Sequence, residues 1–135
     1  MRKASHSLAL VAILGLVGCG GPYVPVEGKI VYGDGSAAKE LKEGTVEFEA
    51  VDQKISARGG IDAEGRFRMT TERSGDGCVP GKHRVVVTHR PSYADQPVPQ
   101  VIRPKYRAFE TSGLEVVIEA GKFVELKVER IKGSR

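Results

Sequence analysis

Residues 45–50 read Thr-Val-Glu-Phe-Glu-Ala, and their apolar and acidic side chains alternate. Successive side chains of a β-strand point to opposite faces of a sheet, so this alternation predicts a strand with one buried and one exposed face. Val46, Phe48 and Ala50 form the apolar face, and Gly44 precedes the strand as a turn residue. A half-buried strand of this kind is typical of an antiparallel sheet that packs one face on a core.

Six further segments carry strand-like patterning, and turn residues separate them. Gly33-Asp34-Gly35 is one such turn, and the loop of residues 61–65 ends in a glycine that suits a hairpin. Only Ala120-Gly121 separates the last two segments, which predicts a tight β-hairpin between them. The six predicted strands are residues 24–32, 54–60, 66–71, 82–90, 114–119 and 122–131.

Seven strands with turns between them predict an all-β domain built as an antiparallel β-sandwich. A chain of 135 residues has single-domain length, and its 17 glycines and 7 prolines fit many short strands. The helical candidate at residues 37–42 is too short to change this class. Residues 91–113, which we call the crossover segment, contain four prolines and predict an irregular loop rather than a strand.

The first 18 residues have the features of a signal peptide. Arg2 and Lys3 form a positive n-region, and residues 8–17 form an apolar h-region that is short for a bilayer span. We therefore expect residues 1–18 to be removed from the mature protein. Without Arg2 and Lys3, the balance of 21 basic and 17 acidic residues becomes 19 against 17, which argues against a nucleic-acid partner.

The end of the signal segment, Leu16-Val17-Gly18-Cys19, resembles the bacterial lipobox. The resemblance implies that Cys19 receives a diacylglycerol on its sulfur, becomes the new N-terminus and is acylated there, for example with palmitate. Residues 19–23 are then the lipidated cysteine and a short spacer, and residues 24–135 are the sandwich domain. The alternative is an ordinary signal peptide with a cysteine near its end.

Cys78 is the second cysteine of the chain. If Cys19 is acylated, Cys78 has no disulfide partner, so the domain must be held by packing alone. Cys78 is then either a small buried residue or a free thiol available to a second chain, and we favour the buried thiol.

Four stretches resemble small bacterial envelope lipoproteins with a transthyretin-like domain, near the carboxypeptidase regulatory-like family. The resemblance covers roughly residues 24–130 and implies a seven-stranded Greek-key sandwich, transthyretin-like or immunoglobulin-like. The chain departs from the family pattern at Ser36-Ala37-Ala38, which replaces a proline-containing turn, and at Cys78. The four stretches are Val26-Glu27-Gly28-Lys29-Ile30, residues 62–67, residues 74–83, and Lys105-Tyr106 followed by residues 111–114.

The resemblance implies no catalytic residues, and the chain contains no G-x-S-x-G, H-E-x-x-H or C-x-x-C motif. His83 and His89 lie on one predicted strand, about 20 Å apart at 3.3 Å per residue, so they cannot share one metal or one catalytic centre. We interpret both as strand-end histidines. A hydrolase branch of the transthyretin-like fold ends in a characteristic tetrapeptide, which the ending at residues 131–135 lacks. We expect no enzyme activity, cofactor or metal.

Between residues 82 and 107 the chain carries six cations against one acid, Asp95, a local charge of +5. This basic segment predicts docking on an anionic polysaccharide, on lipid head groups or on an acidic protein, with Tyr93 and Phe109 as further contacts. The alternative is that these are solvated charges on a long loop. The candidate partner-binding residues are Arg103, Lys105, Tyr106 and Arg107.

These patterns predict a lipid-anchored protein of the bacterial cell envelope, on the periplasmic side or the surface, that acts as a non-catalytic structural or protein-interaction module. Gly20 follows the cysteine where a retention aspartate would stand, so we expect the outer rather than the inner membrane. A carbohydrate-binding module is the alternative, although the chain has no tryptophan for a sugar platform. A transthyretin-like hydrolase is the third possibility.

Overall fold

The computed structural model describes residues 21–133. The predicted signal peptide and Cys19 therefore lie outside the described residues. Seven strands form two sheets, of three and four strands, which confirms the predicted all-β sandwich. The strands are β1 (Glu27–Tyr32), β2 (Thr45–Ala50), β3 (Ser56–Gly60), β4 (Arg66–Arg68), β5 (Gly81–Thr88), β6 (Leu114–Ile118) and β7 (Val124–Val128).

The larger sheet has the strand order β3-β2-β5-β6, and all its neighbours are antiparallel. The smaller sheet has the order β4-β1-β7, and in it β1 and β7 run parallel, with Ile30 opposite Leu126. The prediction of a wholly antiparallel sandwich is therefore wrong for this pair. Three short helical segments complete the described chain: 3₁₀ turns at Lys39–Leu41 and Pro104–Arg107, and helix α1 at Phe109–Ser112.

The predicted hairpin at Ala120-Gly121 is also wrong. β6 pairs with β5, with Val116 opposite His83, whereas β7 pairs with β1 in the other sheet. The short connection turns the chain from one sheet to the other, and Gly121 adopts a positive φ of 76° within it. The alternation of apolar and polar residues specifies which side chains face the core. It does not specify which strand lies alongside, because the same alternation fits any neighbour.

The two inner faces meet in one apolar core. The Phe48 and Phe67 rings, from opposite sheets, pack edge to face with centroids 5.9 Å apart. Gly28 makes room for this contact, since a Cβ there would lie 2.4 Å from the Phe67 ring. Phe67 and Met69 point inward, as their positions in the predicted strand indicate. Within residues 21–133, no helix has the length and apolar character needed to cross a bilayer.

One end of the sandwich, which we call the N-terminal end, holds the first described residues. The Val24 N–H donates to the Cys78 carbonyl at 2.8 Å, and the Cys78 N–H donates back at 3.1 Å. β1 starts just after this pair, β5 starts just after Cys78, and β7 starts beside Gly28. Residues 51–55, 69–80 and 119–123 therefore lie at the N-terminal end, and residues 33–44, 61–65, 89–113 and 129–133 lie at the opposite, far end.

Hydrogen bonds of the Val101 backbone attach the crossover segment to the residues that follow β5 and β7. The Val101 N–H donates to His89 Nε2 at 3.0 Å, and the Ile131 N–H donates to the Val101 carbonyl at 2.8 Å. None of the seven strands lies in the crossover segment, as predicted, but the segment includes the second 3₁₀ turn and α1. Its path is thus set by contacts with β5 and with the residues that follow β7.

Candidate interaction surfaces

The six cations between residues 82 and 107 are mostly compensated in the folded protein. Five of them lie within 4 Å of a carboxylate that comes from elsewhere in the chain. The local charge of +5 counted along the sequence therefore overstates the charge of this surface. The ion pairs are Lys82–Glu115, Arg84–Glu49, Arg90–Glu43, Arg103–Glu129 and Lys105–Glu129.

Two of the candidate partner-binding residues converge on one carboxylate at the far end. Arg103 Nε lies 3.0 Å from Glu129 Oε2, and Lys105 Nζ lies 3.3 Å from the same oxygen. We call these three residues the Glu129 cluster; its net charge is positive, and all three side chains are at least 40% exposed. Exposed ion pairs contribute only about 0–1 kcal/mol, so an anionic partner is able to replace Glu129 at little cost.

Tyr106 is placed differently from its neighbours. Its side chain is 3% exposed and belongs to the core, and its hydroxyl accepts a hydrogen bond from the Glu129 N–H at 2.9 Å. The buried ring is therefore not available as a surface contact, which corrects its assignment to the partner-binding set. Sequence patterning did not indicate this, because Tyr106 lies in a 3₁₀ turn without a strand or helix period around it.

Arg107 is exposed and is the one cation of the six without an ion-pair partner among residues 21–133. Its guanidinium donates to the Gln100 side-chain oxygen. Phe109 is half-buried beneath the Arg84 guanidinium, 5.3 Å from its ring centroid, so it serves the fold. Tyr93 is 60% exposed and is the aromatic ring that the crossover segment presents to solvent.

A groove of about 670 Å³ crosses the outer face of the three-stranded sheet. Phe123 stands at one side of it, 59% exposed, and Arg66 and Arg68 project from the edge strand β4. Arg68 pairs with Glu27 at 3.6 Å, whereas Arg66 has no ion-pair partner within the described part of the chain. The alternating pattern Arg66-Phe67-Arg68 indicates two outward cations around a buried ring, but the position of β4 at the edge of the three-stranded sheet became visible only in the fold.

The two histidines do not form a site. His83 is 1% exposed, packs its ring 6.1 Å from that of Phe48, and has Nδ1 3.0 Å from the Gly81 carbonyl oxygen. It is thus a core residue inside β5 and not a strand-end histidine, while His89 does follow the strand. Burial lowers the pKa of both imidazoles, and the charge of Arg107 lowers that of His89 further.

Cys78 is fully buried, which fits the small buried residue favoured from the sequence. Burial, with a smaller effect of the nearby Asp76 charge, raises the pKa of its thiol to about 12. Across residues 21–133, histidine, cysteine and carboxylate side chains form no group of three or more that would hold a metal ion.

A scan against protein-family models and searches of curated proteins and of solved structures each find no match to this chain. The geometry of the two surfaces described above is therefore the basis for the functional argument.

Proposed function

We propose that this protein is a lipid-anchored lipoprotein of the bacterial envelope and acts there as a non-catalytic protein-interaction module. In this proposal the signal peptide is removed before Cys19, Cys19 is lipidated, and the sandwich has the transthyretin-like Greek-key arrangement. The observation that carries the proposal is the distance along the chain from the lipobox to the fold. Four residues lie between Cys19 and Val24, and Val24 is already hydrogen-bonded to Cys78.

The orientation that follows favours a protein partner, or an anionic polysaccharide, over lipid head groups at the crossover segment. An anchor at Cys19 holds the N-terminal end near the bilayer. The eight residues of β5 span about 23 Å at 3.3 Å per residue, and the crossover segment follows its far end. The Glu129 cluster and Arg107 then face away from the anchoring membrane, toward other components of the envelope.

The anchor is tested by metabolic labelling with palmitate. We expect the full chain to incorporate the label and to fractionate with membranes, and the Cys19→Ser variant to lose both properties. Labelling that survives Cys19→Ser, or a wild-type protein that is never labelled, contradicts the anchor and supports an ordinary signal peptide. Recovery mainly with the inner membrane contradicts the outer-membrane sorting that Gly20 suggests.

The partner-binding surface is tested by cross-linking in intact cells, followed by recovery and identification of the attached molecules. We expect one dominant protein partner, and we expect its yield to fall when Arg103, Lys105 and Arg107 are replaced together by glutamate. The matched control reverses Lys29, Arg66 and Arg68, which carry the same total charge on the three-stranded sheet; Lys29 and Arg68 are ion-paired, as Arg103 and Lys105 are. An equal effect of both triple variants would mean that overall charge, and not the far end, governs the contact.

A carbohydrate-binding role is the second candidate, and the groove beside Phe123 is the observation that favours it. An exposed ring with Asp62, Lys29 and Arg66 around it offers an apolar platform and hydrogen-bonding groups, as sugar sites require. Retention on envelope polysaccharide that Arg66→Ala weakens would support this role. The hydrolase alternative has less support because His83 is enclosed in the core.

A further inference from the structure

We propose that the N-terminal end is a membrane-contacting surface, on which Phe123 and Ile55 enter the headgroup region and hold the domain upright. The proposal rests on the lipid anchor at Cys19 described above and adds a second contact with the same bilayer. The partner of this surface is the lipid bilayer, because the anchor at Cys19 holds this end of the sandwich next to it.

The length of the tether limits how far this end can move from the bilayer. Five residue steps separate Cys19 from Val24, and a fully extended chain covers at most about 3.6 Å per step, or about 18 Å in total. Two hydrogen bonds to Cys78 fix Val24 to the sandwich, so residues after Val24 add no length to the tether. The tether therefore keeps Val24 within about 18 Å of the lipid attachment point, close enough for the turns around it to reach the headgroup region.

Two exposed apolar side chains lie on turns at this end. Phe123, 59% exposed, follows the connection from β6, and Ile55, 36% exposed, ends the turn between β2 and β3. Phe123 lines a shallow depression together with Pro25, the residue that immediately follows Val24. These side chains are therefore on the part of the surface that the short tether brings to the lipid.

The charge of the N-terminal end indicates whether electrostatic attraction or apolar burial stabilises its contact with the bilayer. The turns carry three cations and four carboxylates, so there is no positive patch to attract anionic lipids. The contact must depend on apolar burial together with the tether, which keeps the local lipid concentration high. We therefore expect the contact to be insensitive to salt and to anionic lipid content. The charged residues are Lys54, Arg73, Lys122, Asp52, Glu72, Asp76 and Glu119.

The chain has no tryptophan, so a single substitution introduces a unique fluorescent reporter. Phe123→Trp reports on the N-terminal end, and Tyr93→Trp is its matched control because Tyr93 is 60% exposed and lies in the crossover segment at the far end. Both variants replace one exposed ring by another, so neither disturbs the core.

The experiment reconstitutes each full-length, natively processed variant into vesicles whose acyl chains carry bromine, a short-range quencher. We expect a blue shift and quenching for Phe123→Trp at least about twofold stronger than for Tyr93→Trp, since apolar side chains at an interface lie about 5–10 Å into the headgroup boundary. The difference should persist at high salt and in neutral lipid. Equal quenching of the two variants, or stronger quenching of Tyr93→Trp, overturns the proposal.

Mass measurement of the purified variants separates this inference from the anchor on which it rests. A chain without lipid on Cys19 overturns both. A lipidated chain in which Phe123→Trp remains unquenched overturns only the membrane contact, and it leaves Phe123 free for the carbohydrate role. Adding Cys19→Ser should abolish quenching of Phe123→Trp, because two apolar side chains without a tether bind lipid weakly; persistent quenching contradicts the role given to the tether.

Discussion

The hydroxyl oxygen of Tyr106 accepts a hydrogen bond from the backbone N–H of Glu129 at 2.9 Å, and the carboxylate of the same Glu129 lies 3.0 Å from Arg103 and 3.3 Å from Lys105. The backbone of Glu129 thus binds the buried Tyr106, while its side chain binds the exposed Arg103 and Lys105. Tyr106 holds the backbone of Glu129 from within the core and is not part of the exposed Glu129 cluster. Changes at Tyr106 should therefore act on stability, and changes at Glu129 should act on binding.

Removing the Tyr106 hydroxyl leaves the partly buried Glu129 N–H without its partner. We expect Tyr106→Phe to lower the free energy of unfolding by about 1–2 kcal/mol, measured by urea denaturation. Tyr93→Phe is the control: it removes the same atom from a side chain that is 60% exposed, and it should change stability by less than about 0.5 kcal/mol. Equal effects of the two variants would show that the hydrogen bond contributes nothing specific.

Neutralising Glu129 should release the two cations that it holds. We expect Glu129→Gln to raise the salt concentration needed to elute the protein from an immobilised polyanion, because Arg103 and Lys105 lose their internal competitor. Glu125→Gln makes the same charge change four residues earlier, on β7, where the carboxylate pairs with Lys29 instead. A shift of the same size for Glu125→Gln would attribute the effect to net charge alone.

Two glycines allow backbone strain to be compared with steric crowding. Gly77 has a positive φ and a close neighbour, whereas Gly35 has a positive φ and open space around it. Both have a positive φ, 94° and 84°, but a Cβ on Gly77 would lie 1.7 Å from the Val24 carbonyl oxygen, whereas nothing lies within 4 Å at Gly35. We expect Gly35→Ala to cost about 1 kcal/mol through backbone strain, and Gly77→Ala to cost at least about 3 kcal/mol. Thermal or urea unfolding gives both values. Similar losses would mean that the contact with Val24 relaxes easily.

The two histidines should make stability depend on pH below the ordinary histidine pKa near 6.5. Burial lowers the pKa of His83 and of His89 in the folded protein below the ordinary value near 6.5, so the unfolded chain takes up protons first as the pH falls. Stability is therefore complete above about pH 6.5 and decreases as the pH drops through that value toward the lowered folded pKa values.

Urea denaturation at pH 7.5 and at pH 5.5 measures this dependence. His89→Gln keeps a side-chain oxygen able to accept the Val101 N–H but does not titrate, so the difference in stability between the two pH values should shrink. The carboxyl groups of Asp34, Glu40, Glu49 and Asp76 have lowered pKa values and affect stability only at more acidic pH. A difference unchanged by His89→Gln would assign the pH dependence to His83 or to other groups.

Local patterning was sufficient for the strands themselves. The segment at residues 45–50 is β2 with the predicted bounds, and its Val46, Phe48 and Ala50 are buried. The all-β class followed from the same kind of evidence. These features are encoded locally because alternation along a strand and the apolar character of a side chain do not depend on which strand lies next to it.

Strand partners and surface charge depended on residues far apart in the chain. Backbone hydrogen bonds form equally well with any neighbouring strand, so nothing within residues 114–128 distinguishes a hairpin from a crossing to the other sheet. The charge counted over residues 82–107 likewise takes no account of Glu129 and the other carboxylates that folding brings to these cations. Alternation is a property of one strand and was readable from the sequence; strand pairing and charge compensation involve two distant segments and exist only once the chain has folded.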